Sequence, residues 1–209
     1  MGATKRRILE RAAAVASTDG LEQVTIGRLA DDLGMSKAGL YGHFGSKERL
    51  QLETVALGRE IFHQHVIAPA QQAPPGLPRL WALCTTYLAY VAASIFPGGD
   101  FWVTVANEYD TRPGRVRDEI AGAIAAWMQL LEDLISNAVE LGHLGSCDPV
   151  QLAFEIEALL VAGNHVYHLN NDPQPLELAR AGIARRLEDL RTPWAPALAE
   201  SSQPAPTGH

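Results

Sequence analysis

Lysine is almost missing from this chain. Only Lys5, Lys37 and Lys47 stand in 209 residues, and all three fall within the first 50. Cysteine is as scarce. Cys84 and Cys147 form no Cys-x-x-Cys pair or other ligand spacing, which speaks against a disulfide framework and a thiolate metal site. No apolar run approaches the roughly 20 residues of a membrane span, and no signal peptide precedes Lys5. The expectation is a reduced, cytoplasmic protein without a membrane partner. No internal repeat and no Walker-type phosphate loop is present, and Gly45-Ser46-Lys47 lacks the context of a nucleophile elbow. An enzyme is therefore the contrasting class, not the expected one.

What is present is apolar residues in helical rhythm, 47% of the chain, enough for a sizeable core in one or two domains. The net charge of −7 argues against bulk coating of nucleic acid. The charge is unevenly spread, however. Residues 1–50 carry eight Lys/Arg against six Asp/Glu, whereas residues 51–209 carry nine against eighteen. The N-terminal part is the half suited to phosphate, although three lysines could fall there by chance.

The chain is organised around Thr25 to Phe44, TIGRLADDLGMSKAGLYGHF. Ile26, Leu29, Ala30 and Leu33 repeat at i, i+3, i+4 and i+7, the mark of an amphipathic helix. Thr25 is its cap and Gly34 its left-handed stop. Ser36 caps a second helix at once, in which only Leu40 and Phe44 make an apolar seam. The rest is one cation (Lys37), small residues (Ala38, Gly39, Gly42) and two long polar tips (Tyr41, His43). Core packing does not require that mixture, and a helix that enters a groove does. Small residues permit close approach, Lys37 brings charge, and Tyr41 and His43 reach phosphate oxygens. The alternative is an ordinary helical hairpin with a polar outer face.

Thr25-Ile26, Leu29-Ala30, Leu33-Gly34-Met35-Ser36, Leu40-Tyr41, His43-Phe44 and Ser46-Lys47 together resemble the DNA-binding signature of the TetR family of bacterial transcriptional regulators. The resemblance covers about residues 5 to 50. It departs at Gly42, where the family usually has a larger polar residue. It implies a dimeric regulator that binds double-stranded operator DNA and responds to an unknown small-molecule effector. Lys37 and Ala38, with Arg28, are the candidates for base edges, and Gly39 allows the approach. Thr25, Ser36, Tyr41, His43 and Lys47 are the candidates for phosphate. The expected architecture is all-α. A helix-turn-helix head over 1–50 continues into a linking helix to about 66. A helical effector-binding and dimerisation body spans 67–191, and 192–209 is a disordered Pro/Ala/Ser-rich tail.

In chain order, a first helix runs to about Thr18 before Asp19-Gly20. Its start, Lys5-Arg6-Arg7, is either an arm for phosphate and the minor groove or a solvated helix turn. Ser46 caps the linking helix. Pro69 to Pro78, with four prolines in ten residues, reads as loop. Further helices are expected over about 79–96, 115–141, 149–169 and 175–191. Asp100 caps a short segment, FWVTVANEYD, that alternates like a strand but is taken as helix in an otherwise helical chain. The apolar faces of the last two helices predict a homodimer packed as a four-helix bundle, with both stripes packing internally as the alternative.

Trp81, Tyr87, Trp102, Asn107, Trp127, Glu155 and Glu157 are the candidate ligand residues, aromatic walls with a few polar groups. Glu155 and Glu157 sit two apart, so only one can face a pocket. The plainer reading is that the aromatics are core and the polar residues exposed. His63 and His65 face different sides. His165 and His168, three apart, invite a metal with Glu157 or Glu108, but a polar helix end is the better account. No cofactor is expected. Repressor is favoured over activator, and a module that binds proteins instead of DNA is the remaining alternative.

Overall fold

The helical periodicity of the sequence is realised in nine α-helices among the described residues. A computed structural model describes residues 2–198. They are α1 (Ala3–Asp19), α2 (Ile26–Leu33), α3 (Lys37–Phe44), α4 (Lys47–Phe62), α5 (Leu77–Ala92), α6 (Phe101–Tyr109), α7 (Arg115–Glu140), α8 (Pro149–Asn170) and α9 (Gln174–Leu190). A short 3₁₀ turn, Leu21–Gln23, follows α1. No strand forms among the described residues; a single bridge joins Leu144 to Arg191. No described helix is long and apolar enough to cross a membrane.

Local chemistry sets the helix ends. The side-chain oxygens of Thr25, Ser36, Ser46, Asp100 and Asp148 each accept a backbone N–H in the first turn of the helix that follows. Gly34 stops α2 at φ 63°, a left-handed conformation that costs a side chain strain. Ile8, Leu21, Leu29, Leu40, Phe44 and Leu50 are fully buried and knit α1 to α4 into an N-terminal head. Phe101, Leu80, Leu131 and Ile156 anchor the core of the remaining helices. The helices α8 and α9 run antiparallel at close range. A Cβ on Gly163 would lie 2.9 Å from that of Ala179, and Glu155 meets Arg186 farther along.

Two expectations are corrected, and one alternative left open is decided. First, Pro69 and Pro78 do not lie in loop. The helix of α4 widens into a π turn over His63–Ile67 and continues through Ala68–Ala70, and Pro78 stands in the first turn of α5. A proline is tolerated in a first turn because its missing N–H would have had no partner there. As a result α5 begins and ends earlier than about 79–96. Second, Lys5 and Arg6 form no extended arm. They lie inside α1, where Lys5 pairs with Glu53 at 2.5 Å and Arg6 with Glu10 and Glu60. Third, the supposed tail does not leave the body at Thr192. The Thr192 hydroxyl donates to the Gly142 carbonyl at 2.6 Å, and its N–H to that of His143 at 3.1 Å. Trp194 stays exposed and Ala195 is buried. Residues 199–209 of the expected tail lie outside the described residues.

Candidate functional site

Two features converge on function, an exposed helix face and an internal cavity. On α3, Leu40 and Phe44 are buried against the head, while Lys37, Ala38, Gly39, Tyr41, Gly42 and His43 are all exposed. Tyr41 is 57% exposed, unusual for an aromatic with no role outside its own chain. A Cβ on Gly39 would come within 3.0 Å of Ser36 Oγ, the atom that caps the helix, whereas Gly42 faces open space. The Lys37 side chain lies along Gly27 of α2, so the two helices close tightly beside the exposed face.

Of the other candidates in the head, Thr25 and Ser36 accept N–H groups at 3.2 Å and 3.0 Å, which leaves each hydroxyl proton free to donate. Arg28 is paired with Asp19. Lys47 is paired with Glu22 at 2.8 Å. The Glu22 carboxylate also accepts from Tyr109 Oη at 2.6 Å and from Gln51 at 3.2 Å. The Lys47 ammonium first, then the Tyr109 hydroxyl, hold Glu22 well below the usual carboxylate range, at about 2. Burial, helped by Glu22, raises the Tyr109 hydroxyl.

The cavity lies among α4, α5, α6, α7 and α8 and encloses about 400 Å³, a volume suited to a small organic molecule. Tyr87, Trp102, Asn107, Trp127 and Glu157 line it, as do Phe62 and Asp100. Phe62 stands edge-on to Trp127 with ring centres 5.2 Å apart, and Tyr87 stacks on Trp127 at 6.0 Å. Trp127 Nε1 donates to Glu157 at 2.7 Å. Asp100 is buried and accepts from Tyr87 at 2.9 Å, Tyr90 at 3.4 Å and the Trp102 N–H at 3.1 Å. Burial outweighs these donors and pushes Asp100 up to about 6. Burial likewise raises Glu157, against the pull of Trp127.

Trp81 and Glu155 are not cavity residues. Trp81 is buried in α5 six positions before Tyr87, which sets the two about 120° apart around the helix. Glu155 faces α9, where Arg186 Nε donates to it at 2.6 Å. Phe62 and Asp100 carried no ligand signal in the sequence. Phe62 falls within the expected linking helix to about 66, and Asp100 was accounted for as a helix cap.

The histidines do not assemble a metal site. Among the described residues no three His, Cys, Asp or Glu side chains stand together as ligands. Glu60 and His63, and Glu140 and His143, have the Glu-x-x-His spacing of a helical carboxylate centre. Glu60 is instead paired with Arg6, and His143 Nδ1 accepts the Leu77 N–H. Cys84 is buried and its thiol is pushed up to about 12 by burial, so it is inert at neutral pH.

The chain matches two family models. Residues 8–54 match that of the bacterial regulatory proteins of the tetR family, and residues 76–183 match the tetracyclin repressor-like C-terminal domain. No curated protein matches it. A TetR transcriptional regulator from Chloroflexus aurantiacus superposes with a TM-score of 0.83 at 22% identity, over 90% of this chain and 96% of that one. AibR, solved with isovaleryl coenzyme A and operator DNA, superposes with a TM-score of 0.69 at 24% identity, over 90% and 97%. A putative transcriptional regulator from Saccharomonospora viridis, solved with choline, gives a TM-score of 0.62 at 26% identity, over 89% and 94%. With both halves matched in order and the helix-turn-helix formed, the chain belongs to the TetR family of transcriptional regulators, with a DNA-binding and a ligand-binding domain.

Proposed function

We propose that this regulator is a repressor that binds a palindromic operator as a homodimer and lets go when a small molecule fills its cavity. The head over 1–50 reads DNA, and the body over 67–191 senses and dimerises. The observation that carries the reading is the exposed face of α3. Lys37, Tyr41 and His43 project from a helix whose only buried side chains are Leu40 and Phe44. In the major groove, Lys37 and Ala38 meet base edges, with Arg28 once it leaves Asp19. Thr25, Ser36, Tyr41, His43 and Lys47 hold phosphates.

Dimerisation is supported by an apolar stripe without a partner in the protomer. Phe154 is 64% and Leu169 74% exposed on α8, with Val166 between them, and Leu178 is exposed on α9. Packing these helices against their copies removes the stripe from water and sets two heads on one DNA face. Half-sites about 34–36 Å apart, or a multiple, suit such a pair.

Effector action is supported by the cavity walls. Arg59 and Phe62 of α4, and His63 of the π turn that continues it, line the cavity, and α4 starts in the head just after its cap, Ser46. A ligand that shifts α4 moves the heads apart. Isovaleryl coenzyme A and choline, the ligands of two neighbours, differ widely in size and charge. They support a small-molecule effector here without naming one.

Selection of bound duplexes from a random DNA pool at near-physiological salt tests the reading. An enriched inverted repeat is the expected outcome. An enriched motif without symmetry rejects the symmetric dimer, and no enrichment by ligand-stripped protein rejects operator binding.

A further inference from the structure

The charged groups inside the cavity are both acceptors. Asp100 and Glu157 supply carboxylates, and the buried donors beside them are already spent: Tyr87 Oη on Asp100 and Trp127 Nε1 on Glu157. Asp100 is satisfied by three donors. Glu157 is not. Among the described residues Trp127 is its one donor, to Oε2, and Oε1 receives none. The lining basic side chains, Arg59 and His63, are both exposed. Arg59 is 56% exposed and turned to Glu119 at 3.6 Å, so the positive charge sits at the rim and not in the interior.

Such an interior discriminates among ligands. An anion entering it meets two carboxylates, with the Trp102 indole N–H as the one buried lining donor that no acceptor takes up among the described residues. A neutral apolar molecule fills the space but strips water from Glu157 Oε1, which then has no partner. A cation pairs that oxygen and enters a space walled by Phe62, Tyr87, Trp102 and Trp127, aromatic rings that attract positive charge.

We propose that the cavity takes an organic cation, an amine or quaternary ammonium with apolar substituents, held by Glu157 within the aromatic walls. This rests on reading the cavity as the effector site. Both Trp102 and Trp127 line the cavity, so tryptophan fluorescence reports occupancy directly.

Three probes of similar shape test the proposal on the full chain: benzyltrimethylammonium, its neutral isostere neopentylbenzene, and the anion phenylmethanesulfonate. The cation is expected to bind roughly tenfold or more tightly than either of the others. Glu157→Gln is expected to shrink that preference severalfold, because the cation loses its carboxylate and the neutral probe no longer strips water from a charge. Equal or tighter binding of the neutral or anionic probe overturns the proposal, as does binding of none. An unchanged preference in folded Glu157→Gln also overturns it; if that variant does not fold, the ratio in the parent chain decides. DNA affinity, read in parallel, separates the two claims. Release by the neutral or anionic probe alone keeps the effector reading and rejects the cation. Cation binding without any change in DNA affinity keeps the cation site and rejects the effector role.

Discussion

The Glu108 carboxylate accepts the backbone N–H of Leu21 at 2.5 Å and of Glu22 at 3.2 Å, so the end of α6 caps the turn that follows α1. The first N–H groups of a helical turn have no partner of their own, and a carboxylate there meets the positive end of the backbone dipoles. The next residue extends the junction, because Tyr109 donates to Glu22, which holds Lys47. Since Trp102, Val103, Ala106 and Asn107 of α6 line the cavity, one short helix touches both the cavity and the head.

Glu108→Ala removes this cap and leaves two backbone donors short of a partner. We expect a loss of about 1–3 kcal/mol in unfolding free energy by chemical denaturation. Effector-induced release from DNA should weaken as well, because α6 would no longer grip the turn. Unchanged release in the folded variant would show that α4 alone carries the signal.

Lys47→Ala and Lys37→Ala should differ in kind. Lys47 serves phosphate in the proposed complex, so its loss should weaken binding to all duplexes and lower the salt slope by about 1. Lys37 serves base edges, so its loss should cost about 1–3 kcal/mol at particular operator positions and relax preference there. Binding isotherms over a salt series and a repeat of the duplex selection read the two effects.

Phe154→Glu should break the dimer without unfolding the protomer. Phe154 is exposed in the single chain, so a charge there costs little until the copy arrives. Sedimentation should show a monomer with unchanged helical circular dichroism, and operator affinity should fall sharply. A variant that remains dimeric would move the interface elsewhere.

Two carboxylates should tilt the pH profile of stability in opposite directions. Glu22 sits at about 2, below its ordinary value of 4.5, so its contribution is present above pH 4.5 and is lost as the pH falls toward 2. Asp100 sits at about 6, above its ordinary value of 3.8, so its protonated form favours the fold below pH 3.8 and that contribution is lost as the pH rises through 6. Denaturant melts from pH 2 to 8 should therefore show Glu22→Gln losing the acid-side slope. Asp100→Asn, which cannot ionise, should remove the decline between pH 4 and 6.

The helix-turn-helix was legible because everything that makes it is short-range. Thr25 caps a bond to Arg28, Ser36 one to Gly39, and Gly34 stops the helix it follows. The all-helical class was legible for the same reason, since a period of 3.6 shows within a dozen residues. The short segment after Asp100, which alternates like a strand, is ambiguous by itself and reads as helix only from the helical chain around it; it forms α6. Composition misled at Pro69 and Pro78, because it counts prolines without asking which of them fall in a first turn.

The cavity and its link to the head were not legible, because they depend on residues far apart in the chain. Glu108 and Leu21 are 87 positions apart, and Trp127 and Glu157 are 30. Sequence spacing could say that Glu155 and Glu157 face opposite ways, but the packing of α8 between α7 and α9 chose Glu157 for the interior and left Glu155 to Arg186. Likewise the phase of α5 turned Tyr87 inward to the cavity and Trp81 away from it. Caps, periodicity and the exposed face of α3 are properties of neighbours along the chain and are written in it directly. Which aromatic meets which carboxylate depends on how helices cross, and that is settled only when their buried faces compete for one core.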